Sequence, residues 1–100
     1  MKKEITLNRL YAYGKTVKYY ELNEIDQLFK DFDSFDRYEP TNYKAIGVEY
    51  DVNNSYPGSC DVLCDTGNEI KISNDFKSFG LEGNTEFHEI LEKIKKRFKL

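Results

Sequence analysis

Phe87, Ile90, Leu91, Ile94 and Phe98 recur near the end of this chain at the spacing of one helical face. A strand cannot use that spacing, because its successive side chains point to opposite sides. The stripe therefore predicts a C-terminal amphipathic helix that must bury one side against an apolar surface. Asn84 or Thr85 is placed to cap its start. Glu89–Lys93 and Glu92–Lys96 stand at i,i+4, and Lys95, Lys96, Arg97 and Lys99 suit the negative end of its dipole.

The residues upstream supply that surface as strands. Ile46, Val48, Tyr50 and Val52 alternate with Glu49 and Asp51, which predicts a strand over Tyr43–Val52 with one apolar side. The turn residues of Asn53–Gly58 follow, then a strand over Ser59–Asp65 with Cys60, Val62 and Cys64 on one face. A tight turn at Asp65-Thr66-Gly67-Asn68 leads to a strand over Glu69–Ser73 with Ile70 and Ile72 inward. At the N-terminus Ile5, Leu7, Tyr11 and Tyr13 alternate, interrupted at Asn8-Arg9-Leu10, and Gly14-Lys15 fits a two-residue hairpin turn before a strand over Thr16–Leu22. Between these sheets of sequence, Ile25, Leu28, Phe29 and Phe32 mark a helix from Glu24 to about Phe32 with Asn23 as its cap. Phe76, Phe79 and Leu81 are candidate anchors for the connection to the last helix. The order ββ-α-βββ-α predicts a small α+β domain spanning residues 1–100, an antiparallel sheet with both helices packed on one face.

Eight Tyr and seven Phe with no Trp imply an aromatic-rich core, and a 39% apolar fraction is enough to fold. The net charge of −3 is unevenly spread: residues 1–20 carry +4, 21–51 carry −6, 52–85 carry −3 and 86–100 carry +2. An acidic middle between basic ends argues against direct nucleic-acid binding, which needs a continuous basic face. No apolar run has the length of a signal peptide or a membrane span, so the expected setting is the cytoplasm, with reduced thiols.

Candidate chemistry is sparse. Cys60 and Cys64 on one strand face would lie about 13 Å apart at roughly 3.3 Å per residue, too far for a disulfide. Zinc would need two further ligands, and His88 is the single histidine. Both thiols are therefore expected to be buried and inert, and His88 to sit on a helix face. Asp31, Asp33 and Asp36 have the spacing of a calcium loop, but Asp36 stands where that loop requires Gly and Asn42 where it requires Glu. Gly80-Leu81-Glu82-Gly83 is too short for a phosphate loop. No catalytic residue, metal or cofactor is assigned.

The segment Leu28–Pro40 is the most distinctive for function. It interleaves Asp31, Asp33, Asp36 and Glu39 with Phe29, Phe32, Phe35 and Tyr38. Aromatic side chains supply contact area and carboxylates supply fixed charge, which suits a basic protein partner. Asp31, Asp33, Phe35, Asp36, Tyr38 and Glu39 are the expected contact residues, Asp31 in the first helix and Asp33 and Asp36 in the loop after it. From Glu24 onward the helix-βββ-helix order is similar to that of a double-stranded RNA-binding domain. Glu86, His88 and Glu89 stand where such domains carry lysines, so that function is not carried over. In size, acidity and aromatic content the chain resembles small counter-defence proteins of phages and mobile elements, the anti-CRISPR proteins among them. The resemblance implies a non-enzymatic inhibitor that fills the basic nucleic-acid groove of a larger nuclease. An immunity protein that neutralises a co-encoded toxin would use the same physics, and an accessory subunit that self-associates through a strand edge is the third expectation.

Overall fold

The computed structural model describes residues 4–33, 44–53, 56–73 and 75–100. Strands β1 (Ile5–Tyr13), β2 (Val17–Tyr20), β3 (Ala45–Val52), β4 (Tyr56–Asp65) and β5 (Ile70–Ile72) form one sheet in the order β2-β1-β3-β4-β5. Every neighbouring pair is antiparallel. Helix α1 (Ile25–Asp33) follows β2 and α2 (Thr85–Phe98) ends the chain. Their buried residues, Ile25, Leu28 and Phe29 from α1 and Phe87, Ile90, Leu91 and Ile94 from α2, join a single core with Leu7, Leu10, Ile46, Val48 and Leu63 of the sheet. The fold is thus the α+β arrangement that the sequence implies. At the far end of α2, Phe98 is half-buried and meets Phe29 and Phe32 edge-on, with ring centroids 6.0 and 5.3 Å apart.

Three details of the sheet depart from strict alternation. Leu7 pairs with Tyr50, but the next pair is Arg9 with Glu49, so Asn8 is an extra residue in β1. Such a bulge reverses side-chain parity. Leu7, Leu10 and Ala12 all reach the core, and Tyr11 and Tyr13 are turned to the opposite face, away from the Ile5–Leu7 row that the alternation suggests. A second bulge lies at Val62, where Ile46 pairs with Leu63 but Gly47 pairs with Asp61. Cys60, opposite Val48, faces the core, whereas Cys64, opposite Ala45, lies on the other side and is half-buried. The two thiols therefore do not share a face. Third, Tyr13 pairs with Val17, which leaves Gly14-Lys15-Thr16 as a three-residue loop where a two-residue turn is expected. That register sets Tyr20 beside Leu10 on the core face; a slip of one residue would expose it.

The helix ends are set by local hydrogen bonds. A 3-10 turn over Leu22–Glu24 precedes α1 and moves its start forward. Asn23 falls inside that turn and is not the cap; Glu24 instead accepts from the Glu21 N–H at 3.0 Å. Asn84 caps α2: its Oδ1 accepts from the Phe87 N–H at 2.8 Å, and its Nδ2 donates to the Ile5 carbonyl at 2.9 Å, tying the helix to β1. On its exposed side Glu92 pairs with Lys95 at 3.6 Å, one position short of the expected Lys96. In the connection before α2, Leu81 is fully buried and Phe76 packs on the core, but Phe79 is an exposed ring in edge contact with Tyr50.

Leu91 is 4% exposed at the centre of the α2 stripe. Leu91→Ala should cost about 2–5 kcal/mol through lost burial and a residual cavity, measured by urea unfolding. Lys96→Ala, at an exposed position, should change stability by no more than about 0.5 kcal/mol in the same assay.

Candidate functional site

The expected contact residues split into two groups. Phe35, Asp36, Tyr38 and Glu39 lie outside the described residues. Asp31 lies in the first helix as expected, but Asp33 is not in the loop: it is the last residue of α1. Two residues apart on a helix they point to different sides, and each is engaged within the molecule. Asp31 Oδ2 accepts from Lys18 Nζ and from the Tyr20 hydroxyl, both at 2.7 Å, and Oδ1 accepts from Gln27 Nε2 at 2.9 Å. The hydrogen bond from Lys18, followed by those from Tyr20 and Gln27, holds the Asp31 carboxyl below its ordinary range. Asp33 pairs with Arg97 of α2. These two acids join α1 to β2 and to α2.

A different acidic and aromatic surface is built on the face of the sheet opposite the core. After the bulge, β1 sends Arg9, Tyr11 and Tyr13 to this side, β2 adds Val17 and Tyr19 through the Tyr13–Val17 and Tyr11–Tyr19 pairs, and β3 and β4 add Glu49 and Asp61. Both helices bury their apolar residues on the other face. Val17 and Tyr19 are 53% and 54% exposed. Tyr11, Tyr13, Val17, Tyr19, Glu49 and Asp61, with Gly58 and Ser59, border an open groove of about 560 Å³.

The groove is internally fixed. The phenol end of Tyr11 lies against Gly47; a Cβ there would collide with it and come 2.7 Å from the Cys60 carbonyl oxygen, so only glycine leaves room. Tyr11 and Tyr13 stack at 5.8 Å with an interplanar angle of 28°, and Tyr11 and Tyr19 meet at 6.1 Å. The hydroxyls of Tyr11 and Tyr13 donate to the two oxygens of Asp61 at 3.0 and 2.5 Å. Arg9 Nε stands 3.1 Å from Glu49 Oε2, and its guanidinium carbon lies 4.9 Å from the Tyr19 ring centroid. Burial, with Asp61 adding to it, pushes the Tyr11 phenol far above its usual value. The hydrogen bond to Asp61, with burial second, pushes Tyr13 up to about 12.

The remaining candidates stay apart. Burial pushes the Cys60 thiol up to about 11, against activation as a nucleophile. Burial also raises Cys64, on the outer face. His88 is half-buried on α2, in contact with the Glu82 carbonyl and edge-on to Phe76 and Phe87. Among the described residues no group of three or more His, Cys, Asp and Glu side chains converges to hold a metal ion. Among the same residues no helix is long and apolar enough to cross a membrane. The tyrosines of the groove give one sequence signal, their i,i+2 spacing at 11 and 13, but it is indistinguishable from core alternation until the bulge is known.

No protein-family model matches the chain, and no significant similarity links it to a curated protein or to a solved structure.

The phenol–carboxylate pair sets a pH dependence. Tyr13 titrates higher in the folded chain than its usual value of about 10, so its bond to Asp61 stabilises the fold below that value. The contribution is lost as pH rises through about 12. In alkaline titration followed by tyrosinate absorbance, Asp61→Asn should move the Tyr13 transition down toward about 10 and lower Tyr11 less, since burial is the larger cause there; an unchanged profile would show that the bond does not hold the proton. For the thiols, a maleimide-type reagent should label Cys64 in the native protein faster than Cys60. Equal rates without denaturant would contradict the bulge at Val62.

Proposed function

We propose that this chain is a small protein-binding inhibitor without chemistry of its own, and that its partner is a larger, basic protein whose nucleic-acid groove it occupies. The reading is carried by one observation: a fixed tyrosine-lined groove containing Glu49 and Asp61 stands on the sheet face that neither helix uses. Aromatic anchors held rigidly and ringed by charge are typical centres of protein interfaces. The charge distribution agrees with it. Residues 21–51 carry −6, and a field of that sign steers association with a basic surface. Phe35, Asp36, Tyr38 and Glu39 add acidic and aromatic character to the same stretch of sequence. In its finer form the proposal is a phage or mobile-element counter-defence protein of the anti-CRISPR type, acting in the cytoplasm on a nuclease.

The partner can be captured on the immobilised chain, identified by mass spectrometry and purified for calorimetry. Affinity should fall as ionic strength rises, and nucleic acid bound by the partner should compete with the chain. Asp36→Lys with Glu39→Lys should weaken binding further. A partner that binds chain and nucleic acid together, with no dependence on salt, would sink the inhibitor reading.

A further inference from the structure

We propose that the groove on the outer face of the sheet receives an arginine side chain of the bound protein, its guanidinium stacked on the exposed Tyr19 ring and paired with Asp61. The inference rests on the reading of a basic partner and names the group by which that partner is recognised.

Charge and shape agree on this occupant. The groove is lined by Tyr11, Tyr13, Val17 and Tyr19 with Glu49 and Asp61, and no lysine or arginine is among its lining residues. Aromatic faces carry negative potential that attracts cations, and carboxylates in the same cleft add to it. The molecule already contains an instance of this recognition at the rim. Arg9 lies over Tyr19 and pairs with Glu49, so ring and carboxylate hold one guanidinium between them. Asp61 presents the second carboxylate of the groove. Its two oxygens each accept one phenol hydroxyl, which fixes its orientation and leaves about two of its roughly four acceptor directions open. Among the described residues no lysine or arginine forms an ion pair with it.

Arginine fits this site better than lysine. Its planar guanidinium stacks on aromatic rings, offers donors in a fork matched to a carboxylate and is less strongly hydrated than an ammonium. The rings need little reorganisation on binding, since Tyr11 is seated on Gly47 and both Tyr11 and Tyr13 are tethered to Asp61.

The test is a titration of the 15N-labelled full chain with a short arginine-rich peptide and with the lysine peptide of the same length, read by amide shifts and fluorescence anisotropy. The expected result is shifts concentrated at Tyr11, Tyr13, Tyr19 and Asp61, with tighter binding of the arginine peptide. Asp61→Asn and Tyr19→Ala should each weaken the arginine peptide by about fivefold and the lysine peptide less. Tyr19 is half exposed, so Tyr19→Ala carries the test if Asp61→Asn fails to fold. Equal affinity for the two peptides, or shifts confined to other surfaces, overturns the arginine site. The inhibitor reading is decided separately, by competition with nucleic acid for the captured partner.

Discussion

One extra residue in β1, Asn8, determines which side of the sheet every later side chain of that strand occupies. Without it Arg9, Tyr11 and Tyr13 would continue the row of Ile5 and Leu7 toward the helices, and Leu10 and Ala12 would face outward. A charged guanidinium would then enter the core, which costs several kcal/mol if it is unpaired. The bulge removes that conflict. Leu7, Leu10 and Ala12 meet the helices, and Arg9 finds Glu49 on the other side. The second bulge, at Val62, does the same for β4 by keeping Leu63 in the core and turning Cys64 outward.

The two faces of the sheet thereby take different work. On the core face, packing is almost wholly apolar, and no charged residue is buried among the described positions. On the outer face, Tyr11 buries its ring against Tyr13, Tyr19 and Gly47, while the hydroxyls of Tyr11 and Tyr13 stay bonded to Asp61. Two phenol donors orient the Asp61 carboxylate, and unlike a lysine or arginine partner they bring no positive charge of their own. This makes the outer face a rigid surface with a defined electrostatic character, and the arginine proposal follows from it.

The acidity of the chain also divides by role. Asp31 and Asp33 lie in the stretch that most attracts attention in the sequence, and both are bound internally, one to Lys18, Tyr20 and Gln27, the other to Arg97. They hold α1 against the edge strand and against α2. Glu49 and Asp61, which draw no notice as isolated acids in β3 and β4, are the ones assembled with aromatic rings. Proximity in sequence and assembly in space thus select different carboxylates.

Element order, the helical stripes and the apolar row of β3 are legible along the chain, because each depends on periodicity within one segment. Phe87, Ile90, Leu91 and Ile94 are buried as their spacing requires, and Asn84 caps the helix they mark. Tertiary structure alone decided the parity of β1 and β4, the three-residue loop at Gly14-Lys15-Thr16 and the 3-10 turn that displaces Asn23 from the helix cap. Each of these is a choice of register, and register is set by what lies across the strand or beneath the helix. The groove depends on such choices throughout: Tyr11, Tyr19, Gly47 and Asp61 come from four strands, and they meet because burying Leu10, Tyr20 and Leu63 on one face leaves them no other side to occupy.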